Sequence, residues 1–227
     1  MITVLLWKWH QPNYRSRFTA ENVNIMINMI GRNLDLPHRF LCITDDPAGV
    51  SCETYPLWNE PNVNLPQGRP NCYRRLKVFG EFGKELGDRL LSIDLDAVIT
   101  GNITQIVDRK EDFVIWKDVS QSTLYNGGLW CMTAGTRKQV WEEFRPEILQ
   151  ETKRLGIVGS DQAIVSHILG PGEATWDEND GILSYRAHLR RGTLPLPPDA
   201  RIVMLHGSEN PDSPGPQSKR WVRDNYR

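Results

Sequence analysis

The chain has no long apolar run, no Cys-x-x-Cys pair and no surplus of charge, and each lack removes a class of answer. No segment approaches the ~18 consecutive apolar residues that would cross a bilayer, so no transmembrane segment is expected. The apolar opening from Ile2 to Trp7 has no basic stretch before it and no cleavage pattern after it, and so reads as a strand rather than a leader. Four cysteines, Cys42, Cys52, Cys72 and Cys131, are scattered, which leaves neither a zinc ribbon nor a redox pair. A cytoplasmic location is the expectation. With 27 basic against 28 acidic residues the net charge is −1, so no nucleic acid partner and no anionic membrane is implied. A site for a polyanion must be local. Neither repeats nor a linker divide the 227 residues, a length that one core can serve.

What is present is an alternation of strand-like and helix-like segments. Ile2–Trp7 is a short apolar run rich in branched residues, a buried strand by that pattern. Residues 20–33 place Val23, Met26, Met29 and Ile30 at helical spacing, and Arg39–Thr44 is a second strand. A strand–helix–strand opening is how an α/β nucleotide-binding half begins. Residues 58–72, with three prolines, read as a long loop of the functional kind. A helix is expected over 73–86, a strand over 89–93, and further strands over 112–117 and 127–133. The run 136–155 reads as a helix in which Pro146 forces a kink or break. A helix opened by Ser160 or Asp161 runs to Leu169, and strands are expected over 181–187 and 201–205. Residues 1–206 therefore form one α/β domain, with 207–227 a polar, proline-rich tail. Eight tryptophans are present; their faces suit sugar rings, but core packing is the commoner use.

The strand at 89–93 runs directly into Asp94-Leu95-Asp96. Two carboxylates this close raise one another's proton affinity unless a cation or donor sits between them. A hard divalent ion, Mn2+ or Mg2+, resolves the conflict and leaves positions open for substrate phosphate. Open α/β sheets also bind ligands at strand C-termini. The bland alternative is a solvated turn. Asp94-Leu-Asp-Ala-Val98 further matches the first motif of haloacid-dehalogenase-like phosphatases, yet that motif usually sits on a first strand, and no Asp-Asp or Gly-Asp-x-x-x-Asp follows residue 112 at a strand end.

Taken with Lys8-Trp9, Tyr14, Thr44-Asp45-Asp46, Arg75, Asn126-Gly-Gly128, Ser160-Asp161-Gln162 and His206-Gly207, the acidic pair makes the chain resemble the GT-A glycosyltransferases. The likeness is greatest to small bacterial enzymes akin to the glycogenin-like superfamily. It implies a Rossmann-like mixed central sheet flanked by helices and transfer of a sugar from a nucleoside-diphosphate sugar, a UDP-sugar in first place. The acceptor it implies is a hydroxyl of a glycan or polysaccharide. Lys8, Trp9, Tyr14, Thr44 and Asp45 would line the nucleoside site, with Trp9 and Tyr14 able to stack on a base. Arg75, Leu95 and Gly207 would face the phosphates or the sugar, and a guanidinium suits a bidentate phosphate contact. Asp94, Asp96 and His206 would hold the metal, while Asn126, Asp161 and Gln162 would face the donor sugar. The resemblance implies retention of configuration. Inversion would need a general base, for which Asp161 is the candidate. Met204 stands where glycogenin-like enzymes carry the metal-binding histidine, so a domain that binds nucleotide or sugar without turnover is a further alternative.

Overall fold

The computed structural model of the chain describes residues 1–11, 18–63, 65, 71–190, 195–206 and 209–227. Ten strands are found among them: β1 (Ile2–Lys8), β2 (His38–Thr44), β3 (Glu53–Pro56), β4 (Arg89–Ile93), β5 (Ala97–Ile99), β6 (Phe113–Lys117), β7 (Tyr125–Thr133), β8 (Ala174–Trp176), β9 (Ile182–Ser184) and β10 (Ile202–Met204). Seven form one mixed sheet in the order β3-β2-β1-β4-β7-β6-β8, and β5-β10-β9 form a second, smaller sheet. Strands β3, β2, β1 and β4 run parallel, β7 is antiparallel to both neighbours, and β8 is parallel to β6.

The central strands are apolar on both faces because both are covered. Val4, Leu6, Cys42, Leu91, Ile93, Val114 and Cys131 point to one core, which they share with helix α1 (Ala20–Asn33) and the small sheet. The alternate residues Leu5, Trp7, Leu41, Ile43, Leu90, Ile115 and Trp130 point to a second core, capped by later helical segments. The alternation follows from the two-residue period of a strand. Trp116, Trp130 and Trp176 are fully buried, so the packing use of tryptophan prevails at these three.

Several expected elements take other shapes. The stretch expected as one helix over 73–86 is a 3-10 helix, Cys72–Phe79, followed by a short α2 (Gly83–Leu86). The chain doubles back so tightly there that a Cβ on Gly83 would lie 2.1 Å from the Val78 carbonyl oxygen. After α3 (Thr104–Val107), the 136–155 segment is divided into α4 (Gln139–Glu142) and α5 (Ile148–Arg154). Pro146, which cannot donate to a helical ladder, lies in the gap. Helix α6 (Asp161–Leu169) starts after Ser160, whose hydroxyl donates to Asp161 Oδ1 at 2.7 Å rather than capping the backbone. The strand expected over 181–187 stops at Ser184. The Ser184 hydroxyl accepts from Ala187 N at 3.2 Å and opens a wide helical turn, Tyr185–Leu189. The C-terminal residues fold back as α7 (Pro214–Gln217) and α8 (Arg220–Asn225). Val222 is fully buried, and the Tyr226 hydroxyl accepts from Asn22 Nδ2 at 2.8 Å. Arg32 donates to the carbonyls of Asn225 and Arg227 at 2.8 and 2.7 Å. The end of the chain, Asn225–Arg227, is therefore tied to α1.

Candidate active site

Strand β4 ends at Ile93, and the acidic pair begins where the two sheets meet. Asp94 N donates to the Gly128 carbonyl at 2.9 Å, which ties the first aspartate to β7 in the large sheet. Leu205 N donates to the Asp96 carbonyl at 2.8 Å, which ties the second to the end of β10 in the small one. Asp94-Leu95-Asp96 is thus the splice between the sheets. Successive side chains alternate, so Leu95 enters the core at 2% exposure while its neighbours turn to the cleft. Leu95 can offer a ligand only its backbone. His206 follows Leu205 directly and comes alongside the pair.

These residues line a cleft of about 710 Å³, which brings together Arg75, Asp94, Asp96, Asn126, Asp161, Gln162 and His206. Seven residues singled out in the sequence therefore share one cavity. Arg75, on the 3-10 helix, places Nη1 2.6 Å from Asp94 Oδ1 and 3.8 Å from Asp161 Oδ2. Its guanidinium lies 5.7 Å from the ring centres of both Trp7 and Trp9, within range of a cation–π attraction. Burial raises the proton affinity of Asp94 above the ordinary carboxylate range, and Arg75 offsets part of that rise. Burial acts against the charge on Arg75 too, but Asp94 and Asp161 more than compensate, and the guanidinium stays firmly protonated.

The opposite wall is strand β7, whose register against β6 shifts between Ile115 and Trp116. The shift falls at Gly127 and Gly128, and such bulges re-aim a strand beside a site. A Cβ on Gly128 would lie 3.2 Å from Asp94 Oδ2 and 3.1 Å from Asn126 Oδ1, and one on Gly127 3.2 Å from Asp161 Oδ2. The paired glycines let the carboxylates approach the strand. Cys72 also lines the cleft, but burial pushes its thiol up to about 12, so it is protonated and no nucleophile.

One cleft element escaped the sequence reading. Asp118 Oδ2 accepts from Ser120 Oγ at 2.7 Å, Ser122 N at 3.0 Å, and Thr123 N and Oγ1 at 3.1 Å. Gln162 Nε2 donates in turn to Thr123 Oγ1 at 3.2 Å. A single carboxylate organises the 118–123 loop, and the loop orients Gln162. An aspartate followed at short spacing by hydroxyl residues is the signal that could have marked it.

Lys8, Trp9, Thr44 and Asp45 gather at the C-terminal ends of β1 and β2, beside two cavities of about 590 and 220 Å³. Lys8 is buried at 6% exposure, donates to the Asp46 carbonyl and pairs with its carboxylate at 3.4 Å. The Asp45 carboxylate accepts from His10 N at 2.9 Å. Lys8 therefore shapes the Thr44–Asp46 turn, and the Arg75–Trp9 contact joins this region to the cleft. Tyr14 and Gly207 lie outside the described residues. Among the described residues no three His, Cys, Asp or Glu side chains, Asp94, Asp96 and His206 included, are placed to hold a metal ion together. Two carboxylates at one rim, with an imidazole beside them, fit in chemistry an open Mn2+ or Mg2+ site whose shell a phosphate completes.

No family model matches the chain, and no curated protein does. Solved structures do match. The galactosyltransferase LgtC, in complex with donor and acceptor sugar analogues, superposes with a TM-score of 0.64 at 12% identity, over 97% of this chain and 93% of that one. The glycosyltransferase GlyE of Streptococcus pneumoniae gives 0.56 at 12% identity, over 94% of this chain and 57% of its own. At such identity the likeness establishes the fold. With its mixed seven-stranded sheet, the chain has the GT-A fold of these glycosyltransferases.

Proposed function

We propose that the protein transfers a sugar from a nucleoside-diphosphate sugar, a UDP-sugar in the first instance, to a hydroxyl of a glycan acceptor. One observation carries this reading: the acidic pair, Arg75, Asn126, the Asp161-Gln162 pair and His206 line a single cleft where the two sheets meet. The chemistry supplied by Mn2+ or Mg2+ in such a cleft is neutralisation of a leaving diphosphate, and Asp94, Asp96 and His206 are the residues that would hold the ion. Asn126, Asp161 and Gln162 bind the donor sugar, with Gln162 set by Thr123. Lys8, Trp9, Thr44 and Asp45 form the nucleoside end. The acceptor hydroxyl attacks the anomeric carbon and the nucleoside diphosphate departs. Closing such a site against water prevents hydrolysis of the donor.

The GT-A fold leaves the phosphatase alternative without support, since the Asp94 strand is fourth in chain order and central in the sheet. Among the described residues no helix is long and apolar enough to cross a membrane. The four cysteines are free thiols, which suits the cytoplasmic location we propose. The test is calorimetry with UDP and GDP in the presence of Mn2+, followed by a donor panel read as release of the nucleoside diphosphate. Binding of UDP with release from a UDP-sugar supports the proposal. Tight UDP binding with no turnover of any donor would instead identify a binding domain.

A further inference from the structure

The described residues that line the cleft carry more negative than positive charge, and this points to a further ligand-binding residue. Among the described residues its lining holds four carboxylates, Asp94, Asp96, Asp118 and Asp161, against two guanidiniums, Arg75 and Arg186. Arg75 is already shared between Asp94 and Asp161. A dianionic or trianionic group entering such a cleft requires cationic charge that is still available. Arg186 has it: the side chain is exposed and has no ion-pair partner among the described residues. Its neighbour Arg190 is engaged by Glu209 at 3.8 Å.

The backbone at Arg186 is positioned with equal care. It lies in the wide turn Tyr185–Leu189, closed by Arg190 N donating to the Tyr185 carbonyl at 2.7 Å. Wide turns of this kind recur at functional sites. The turn is anchored on the fully buried Ser184, whose hydroxyl accepts from Ala187 N and pairs with His206 Nε2 at 2.8 Å. Arg186 is therefore carried on the same support as His206, on the small-sheet side that also bears Asp96.

Building on the donor reading above, we propose that Arg186 binds the diphosphate of the nucleotide and neutralises the charge on the departing nucleoside diphosphate. A planar guanidinium can donate to two phosphate oxygens at once. The experiment compares UDP and uridine binding to the wild type, Arg186→Ala and Arg186→Lys by calorimetry with Mn2+ present. Thermal melts serve as the control for folding. Arg186→Ala is expected to raise the Kd for UDP about tenfold or more, the scale of one charge-assisted contact. The Kd for uridine should stay within about twofold, and Arg186→Lys should fall between, since it keeps the charge and loses the fork. Unchanged UDP affinity in Arg186→Ala overturns the assignment, including the case in which activity falls and places Arg186 on the acceptor side. An equal loss for UDP and uridine overturns it as well. If the wild type binds neither UDP nor GDP, the donor reading itself fails and the assignment falls with it.

Discussion

Replacing Arg75 with methionine keeps most of the side-chain volume and removes the charge between Asp94 and Asp161. Arg75 is 11% exposed and Asp94 26% exposed, with 2.6 Å between them. Removing one partner of a fully buried pair costs about 3–5 kcal/mol because the other charge is left stranded. Asp94 keeps access to water through the cleft, which lowers the expectation for ligand-free Arg75→Met to about 2–4 kcal/mol. That corresponds to a fall in Tm of about 5–15 °C for a domain of this size. The pH dependence has a definite direction. Burial gives Asp94 a higher proton affinity in the folded chain than in the unfolded one. The folded state therefore binds more protons, and this group's contribution to stability declines as pH rises from the ordinary carboxylate range through the raised value. Without Arg75 the decline steepens, so the deficit should be larger at pH 7 than at pH 4. Urea unfolding of the wild type, Arg75→Met, Asp94→Asn and the double variant at both pH values measures it. The Asp94→Asn change should recover about 1 kcal/mol or more in the Arg75→Met background. Arg75→Met within about 0.5 kcal/mol of wild type at pH 7, the ordinary range for an inconsequential substitution, would refute the reasoning.

Asp96→Asn should abolish nucleoside-diphosphate release from every donor in the panel, and full turnover in that variant would remove the metal from the mechanism. Burial opposes the charge on Asp118, but hydrogen bonds from Ser120 and Thr123 prevail and hold its carboxyl below the ordinary range. Its stabilisation is thus complete above the unfolded carboxylate pKa and lost as pH falls through the lower folded value. Asp118→Asn should cost about 1–3 kcal/mol at pH 7 and flatten the acid limb of the stability profile, measured by tryptophan fluorescence. Gly128→Ala places a methyl 3.0 Å from Met204 Cε and 3.2 Å from Asp94 Oδ2. Overpacking of this kind costs about 1–3 kcal/mol, read as a lower urea midpoint together with weaker UDP binding.

Elements whose cause is local were legible in the sequence. Strands β1, β2 and β4 are built around short apolar runs, and α1 shows its buried face at helical spacing. The break at Pro146 follows from one residue's missing donor. Elements whose cause lies elsewhere in the chain were not legible. Strand β3 is a four-residue edge strand that contains Pro56, with little apolar content to announce it. Strand β8 has three residues and exists through pairing with β6. The polar C-terminal residues gave no sign that Val222 would enter the core or that Tyr226 would bond to α1, whose Asn22 lies 204 positions away in the chain.

The same division applies to the site. Two carboxylates closing an apolar strand were visible at once, since the electrostatic conflict is contained in three residues. Their present resolution was not: Arg75, nineteen positions earlier by its number, crosses the cleft to Asp94 and also reaches Asp161. The link between the motifs is a matter of backbone pairing. The Asp94 amide bond to Gly128 fixes where the bulged glycines must lie, and the Asp96 carbonyl bond to Leu205 fixes where His206 must lie. Once those two bonds exist, segments near residues 94, 127 and 206 have no freedom to be separate. Gly127 then packs against Asp161 and draws α6 into the same wall. The acidic motif thus serves as the structural junction of both sheets as well as the proposed chemical centre. Substitutions that alter its backbone pairing should therefore disturb stability and ligand binding together, whereas a change at the exposed Arg186 should separate them.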